Sequence, residues 1–409
     1  MAVKFIEIDL KRAVEPLSIP EEAKELWILA FWGEQPLGWM RLDLQADKRD
    51  RQYRLMDLSL LKKSMARTFG WDLWRQAVSG NLVNNCSDQH LFPISVVVCT
   101  RDRRISLERC LKSLTKQAYP SYEVVVIDNG SSDRSIRDTV AQYGFRYFRE
   151  DRPGLDWARN RGVQVATHEI IAFIDDDAHA SPGWLRGIAL GFADPEIMIV
   201  TGLVLPAELM TPAHFDFEVY GGMGKGFYRF TVRKKALLDK QKFWASSWGV
   251  GTNMAIRREL IDIIGGFDVA LDVGTPSCGG GDIEFIYRAV DAGCTLRYEP
   301  SAWVRHFHRK DRKALTRLIY NNGRSFPNYL MTIARKQPQK RWAVFKFALD
   351  HWLLRWLLKR ILLAIIRGDV CRLHFALIEL WGSFSSIPAY WQSQRTAARL
   401  DAYGGDISA

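Results

Sequence analysis

Cysteine is scarce in this chain of 409 residues. There are six, at positions 86, 99, 110, 278, 294 and 371, and no two form a C-x-x-C pair. That spacing excludes a zinc finger and a disulfide framework, and it fits a reduced, cytoplasmic protein. Long apolar runs are missing too. Stretches free of charge, such as Phe243–Ile256, run fourteen residues and still carry polar groups. A membrane-spanning helix needs roughly 20 mostly apolar residues, so none is expected. The opening MAVKFIEIDLKRAVEP has no apolar segment of the signal-peptide kind. Internal repeats, low-complexity tracts and recognised nucleic-acid-binding motifs are also absent from the sequence.

Apolar residues make up 47 % of the chain, enough for a large core, and the length suits two or three domains. The net charge of +11 is unevenly placed. Arg305 to Arg367 holds 16 Lys and Arg against two acids, Asp311 and Asp350, and the remainder is slightly acidic. The basicity therefore describes one C-terminal surface, outside the expected cleft, and does not indicate a nucleic-acid partner.

Three segments differ in texture. Residues 1–90 read as an accessory module. Leu26–Trp32 and Trp39–Leu44 are strand-like around the turn GEQPLG, and Arg49–Asn81 looks helical with a capping-type start at Asp57-Leu58-Ser59. Residues 91–310 alternate β-branched apolar runs with helical spacing: ISVVVCT (94–100), SLERCLKSLTKQ (106–117), YEVVVIDNGSSD (122–133) and EIIAFIDDD (169–177). That pattern predicts an α/β fold with a mostly parallel sheet covered on both faces by helices, and ligands bound at the carboxyl ends of its strands. Residues 311–409 turn helical, basic and rich in Trp and Leu. An interfacial helix on an anionic membrane, burying Trp352, Leu353, Trp356 and Leu357 in lipid, is one expectation for this extension; packing of the same helices on the preceding domain is the other.

Asp175, Asp176 and Asp177 follow directly on the apolar run Ile170–Ile174. Like charges at the end of a buried strand need a cation or a helix terminus to offset them. A hard divalent ion, Mg²⁺ or Mn²⁺, suits a carboxylate cluster, whereas the following Ser181-Pro182-Gly183 offers the plainer alternative of a capped helix.

Other strand ends sharpen the choice. VVVCTRDR (96–103), VVVIDNGSSD (124–133), GLDWARNRG (154–162), FIDDDA (173–178), GTNMAIRRELIDIIGGFD (251–268), GGGDIEFIYRAVDAG (279–293) and VRHFH (304–308) occur in one order. In that order they resemble the family 2 glycosyltransferases, inverting enzymes with the GT-A nucleotide-sugar-binding fold, over about residues 93–310. The resemblance implies a metal-dependent hexosyltransferase that takes a nucleotide sugar, UDP- or another pyrimidine-nucleotide sugar, and glycosylates a saccharide or lipid-linked saccharide, a polysaccharide or glycolipid precursor. It implies that Thr100 and Arg101 meet the base through backbone groups and that Asp128 accepts the imino N–H of a uracil-type base. Arg159 would contact base or phosphate, Asp175 the ribose, and Asp177 the metal, with Asp176 able to exchange roles with either neighbour. Asp282 would be the base that takes the acceptor's proton, alone or with Glu284. Gly281 departs from the usual pattern, which has Glu there, and the run Gly279–Gly281 would let backbone approach substrate. His306, on one face with His308, could complete the metal shell or contact the diphosphate. Trp248, with Trp244 and Asn253, would flank the acceptor. A non-catalytic nucleotide-sugar or glycan-binding module on the same fold is the competing reading.

Overall fold

A computed structural model describes residues 3–12, 17–20, 23–44, 54–55, 58–83 and 91–405. Its main sheet has nine strands. At one side, Arg146–Arg149, Tyr122–Asp128, Ile94–Thr100 and Ile170–Asp175 lie parallel in that order. Asn253–Arg257 follows antiparallel, then Ile197–Pro206, also antiparallel to its neighbour, and Thr295–His306 runs parallel to that strand. The short strands Ala178–Ala180 and Phe230–Val232 pair with Thr295–His306. The expected α/β arrangement is present. Its parallel pairing is concentrated in the 94–175 half, and the rest of the sheet is mixed.

Side chains alternate across this sheet, as the strand repeat of two requires. Val96 and Val98 enter one apolar layer with Leu107, Leu111, Ile136 and Trp184, whereas Val97 enters the other with Ala158, Phe285 and Ile286. Helices Arg104–Leu114, Ser135–Gln142 and Trp184–Gly191 cover the first face. Helices Leu155–Val165 and Gly281–Ala292 cover the second. Burial on both faces explains why these strands read as unbroken apolar runs.

The N-terminal hairpin is real, and its turn is tighter than expected. Glu25–Trp32 pairs with Gln35–Asp43, so only Gly33 and Glu34 turn the chain, Gly33 at φ +62°. Pro36, which the sequence places in the loop, sits opposite Phe31 beside a register shift that accommodates its missing N–H. Val3–Asp9 joins as a parallel third strand. One face of this small sheet packs Leu26, Ile28 and Ala30 on Leu61, Met65 and Phe69. The opposite face sets Leu29 and Phe31 against Leu203, Tyr298 and Trp303 of the main sheet. The helix spans Leu58–Val83. Arg54–Leu55, expected to be helical, pairs instead as a short strand with Ser18–Ile19. Positions 45–53, 56 and 57 lie outside the described residues.

After His306 the chain is helical: Arg312–Lys336, a continuous run from Arg341 to Ile366, Val370–Phe384 and Ser386–Gly405. The stretch Ala348–Leu358 is π-helical. Trp352 and Leu357, expected to face lipid, are buried against the main domain, and Leu353 and Trp356 pack beside them. The packed-helix expectation therefore describes these four residues.

Candidate functional site

Register brings the sequence's polar clusters to one edge. Thr100 lies opposite Asp128, and Cys99 opposite Asp175, at the carboxyl ends of three adjacent parallel strands. Strands of this kind stop where side chains must leave the core, so their ends present polar groups together.

Each of the three aspartates has its own partners. Asp175 Oδ2 accepts from Thr252 Oγ1 at 2.5 Å and Oδ1 lies 3.8 Å from Arg159. Asp176 points inward, accepting from Thr100 Oγ1 at 2.8 Å and from Arg103 at 3.1 Å. Asp177 accepts from Arg103 at 3.1 Å and lies 3.0 Å from His306 Nε2. Burial, then the charge of Asp177, pushes the Asp176 carboxyl up to about 6. Burial presses Asp177 the same way, but the hydrogen bond and charge of His306, with Arg103, hold it down at about 2. Burial works against a charged His306 ring, yet Asp177 and Asp175 raise its pKa above the usual imidazole value.

Candidate ligand atoms of Asp175, Asp177 and His306 all lie within 4.8 Å of one another. Two carboxylates and an imidazole fit a divalent ion; the nitrogen suits Mn²⁺ better than Mg²⁺, which prefers oxygen. Asp176, left open by the sequence, is turned toward Thr100 and Arg103 and stands outside this trio. Asp175, expected at the ribose, stands inside it. Behind His306, its Nδ1 lies 3.1 Å from His308 Nδ1, and His308 Nε2 lies 2.8 Å from Glu218 Oε1.

Asp282 opens helix Gly281–Ala292. Its Oδ2 accepts the Gly251 N–H at 2.7 Å. Gly251 and Thr252 are consecutive, so one dipeptide ties Asp282 and Asp175 to the same cleft. Arg159 lies beside them and is bound to Asp156 at 3.0 Å, both side chains buried. Asp272 accepts the Leu155 and Asp156 N–H groups, each at 2.6 Å, and so caps the helix that carries this pair. Gly281 has a steric reason: a Cβ there would meet Asp156 Oδ2 at 1.8 Å. The close approach is to the protein's own carboxylate, not to substrate.

Two expectations need correction. Glu284, two positions beyond Asp282, projects to another side of the helix, where Arg288 and Lys336 bind its buried carboxylate. It does not reach the cleft. Trp248 is core, and its carbonyl accepts from Thr201; Trp244 packs on Phe326, Phe347 and Trp356, and the Asn253 amide bridges Leu203 and Ala302. Arg101 is half exposed and pairs only with Asp102, at 3.8 Å, among the described residues. Asp128 has 1 % of its side chain exposed: Ser131 N–H and Tyr147 O–H donate to it at 2.9 and 2.8 Å, and Arg149 lies 3.6 Å away. The groups missed by sequence reasoning are Arg103, Asp156, Glu218, Gly251, Thr252 and Asp272. For Arg103 a signal existed, since it directly precedes the helix that follows the first strand end.

Residues 95–265 match the sequence pattern of the family described as Glycosyl transferase family 2. Glycosyltransferase AglE of Haloferax volcanii is 26 % identical over 215 residues, which are 50 % of this chain and 64 % of that protein. The pre-mycofactocin glycosyltransferase of Mycobacterium tuberculosis is 26 % identical over 252 residues, 60 % of this chain and 48 % of that protein. The chain thus spans less than two thirds of these relatives' length. Among solved structures, the mannosyltransferase PcManGT from Pyrobaculum calidifontis, in complex with GDP-Man and Mn²⁺, aligns with a TM-score of 0.44 at 17 % identity, over 84 % of this chain and 90 % of that one.

Proposed function

The chain carries a glycosyl transferase family 2 domain, and from that premise we propose that it moves a hexosyl group, with inversion, from a nucleotide sugar to an acceptor hydroxyl. The observation carrying this reading is the shared cleft of Asp282 and the Asp175–Asp177–His306 trio, joined through Gly251 and Thr252. The acceptor oxygen attacks the anomeric carbon, the bond from that carbon to the diphosphate oxygen breaks, and the acceptor's proton passes to the Asp282 carboxylate. The Gly251 and Ile283 N–H groups each donate to one oxygen of that carboxylate, and each oxygen keeps a second lone pair for the proton.

Asp175, Asp177 and His306 would hold Mn²⁺ or Mg²⁺, which would neutralise charge on the diphosphate. Arg103 and Arg159 add fixed positive charge around the same carboxylates. The donor is a pyrimidine-nucleotide sugar in this reading, and Asp128 meets its base once Tyr147 gives up its hydrogen bond. The acceptor is a polysaccharide or glycolipid precursor. Residues 91–310 perform the chemistry, residues 1–90 brace the edge of the sheet, and residues 311–409 form a helical extension with a membrane-facing surface.

Nucleoside diphosphate release tests the reaction, using a panel of nucleotide sugars with Mn²⁺ and lipid extract as acceptor. Asp282→Asn should lower turnover by about 10²–10⁴ while donor affinity, read by calorimetry, stays near wild type. A wild-type protein that binds donor and turns over none, with or without acceptor, overturns the enzymatic reading.

A further inference from the structure

The helical run from Arg341 to Ile366 has two apolar faces, and protein covers one of them. Val344, Phe347, Trp352, Leu357 and Ala364 are buried, with Phe347 against Phe243 and Trp352 against Phe326. On the other face Trp342, Phe345, Leu349, Leu354, Leu358 and Leu362 are all exposed, Trp342 at 74 %. After a turn at Gly368, helix Val370–Phe384 packs back along Lys359–Ile366 and adds Leu377, Trp381 and Phe384, also exposed and at helical spacing. Scattered exposed leucines need no explanation, but a stripe that follows one helix face from end to end marks a contact surface.

Charge narrows the occupant. Lys346, Lys359 and Arg367 are exposed beside the stripe and have no ion-pair or side-chain hydrogen-bond partner among the described residues. Arg355 lies there too, paired with Asp350. A second copy docked symmetrically on this face would set basic side chains against their own kind. An anionic leaflet supplies both needs: apolar depth for the stripe and phosphates for the cations, with tryptophan suited to the boundary between them. No helix among the described residues is long and apolar enough to cross a membrane. We infer that this helical face lies on an anionic lipid surface, with the 342–362 stripe sunk at the headgroup–acyl boundary and Lys346, Lys359 and Arg367 at the phosphates. The inference deepens the glycolipid-acceptor part of the proposed reaction and rests on that reading only for its biological meaning. It is tested by vesicle binding without any donor, so its failure leaves the transfer reaction untouched.

The test is flotation of the full chain with phosphatidylcholine vesicles and with vesicles that also contain phosphatidylglycerol. The protein should float with the anionic vesicles and be partly released by high salt. Leu354→Glu with Leu362→Glu should weaken that partition by about tenfold or more, and Lys346→Glu with Lys359→Glu by a similar factor on anionic vesicles alone. Circular dichroism checks that both double variants fold; if the apolar pair does not, the charge pair decides. Wild-type protein that ignores anionic vesicles at low salt overturns the inference. So does a dimer, seen by light scattering, that the Leu354→Glu, Leu362→Glu variant splits.

Discussion

His306 is the residue on which the site's two charge networks meet. Its Nε2 faces Asp177, and its Nδ1 faces His308, which is held in turn by Glu218. For His306 to offer Nε2 to a metal, its Nδ1 must keep the proton and donate it to His308 Nδ1. His308 then carries its own proton on Nε2 and donates it to Glu218. The chain of rings thus sets the tautomer, as outer partners of a liganding histidine do. Glu218→Gln can hold His308 in the wrong tautomer, and Mn²⁺ affinity measured by calorimetry should fall by about 10–100-fold with the melting temperature nearly unchanged. Unchanged affinity would make Glu218 a packing residue.

The same ring predicts a pH dependence. The protonated His306–Asp177 pair stabilises the fold below the ordinary imidazole pKa. That contribution fades as pH rises through the raised value of His306. Asp177, held at about 2, contributes above its ordinary range and loses the contribution as pH falls through about 2. Metal binding runs against the first effect, because a ligand must be a neutral ring. Mn²⁺ affinity should therefore climb with pH, by about tenfold per unit at most, and level off above the raised pKa of His306. A flat profile by calorimetry would remove His306 from the ligand set.

At the scale of elements, the strand ends were legible and their partners were not. Ile94–Thr100, Tyr122–Asp128 and Ile170–Asp175 announce themselves as apolar runs ending in polar residues, because both sheet faces are buried. The aspartate cluster was legible for the same reason. Its neutralisation was not: Thr252 and His306 lie far along the chain and arrive through antiparallel pairing and the long last strand, which no local pattern encodes. Glu284 misled because a motif fixes spacing but not which side of a helix a side chain takes. Gly281 is the converse case, a departure from the family pattern that the structure explains. Its Cα lies so close to Asp156 that Gly281→Ala should destabilise the protein by about 3 kcal/mol in urea unfolding, and Gly281→Glu, toward the usual family residue, by more. Melting curves that superimpose on wild type would mean that helix Gly281–Ala292 shifts without cost.

Across the whole molecule, the C-terminal helices act as a wall with an inside and an outside. Reading the sequence, one sees Trp and Leu in excess and cannot tell which face each takes, because a helix with 3.6 residues per turn does not sort them. The π-helical stretch does. Its bonds reach one residue further than those of an α-helix, and the buried side chains recur accordingly at Phe347, Trp352 and Leu357, five apart, as do the exposed Leu349 and Leu354. The stretch works as a phase shifter between the helical segments on either side of it. Lose one residue within Ala348–Leu358, and everything from Lys359 onward rotates by about 100° relative to the domain beneath it. Ala364 would turn out of the core, with no change to any residue downstream. The aim of the whole outer face is thus written in the length of one segment, and insertions or deletions there are worse tolerated than substitutions.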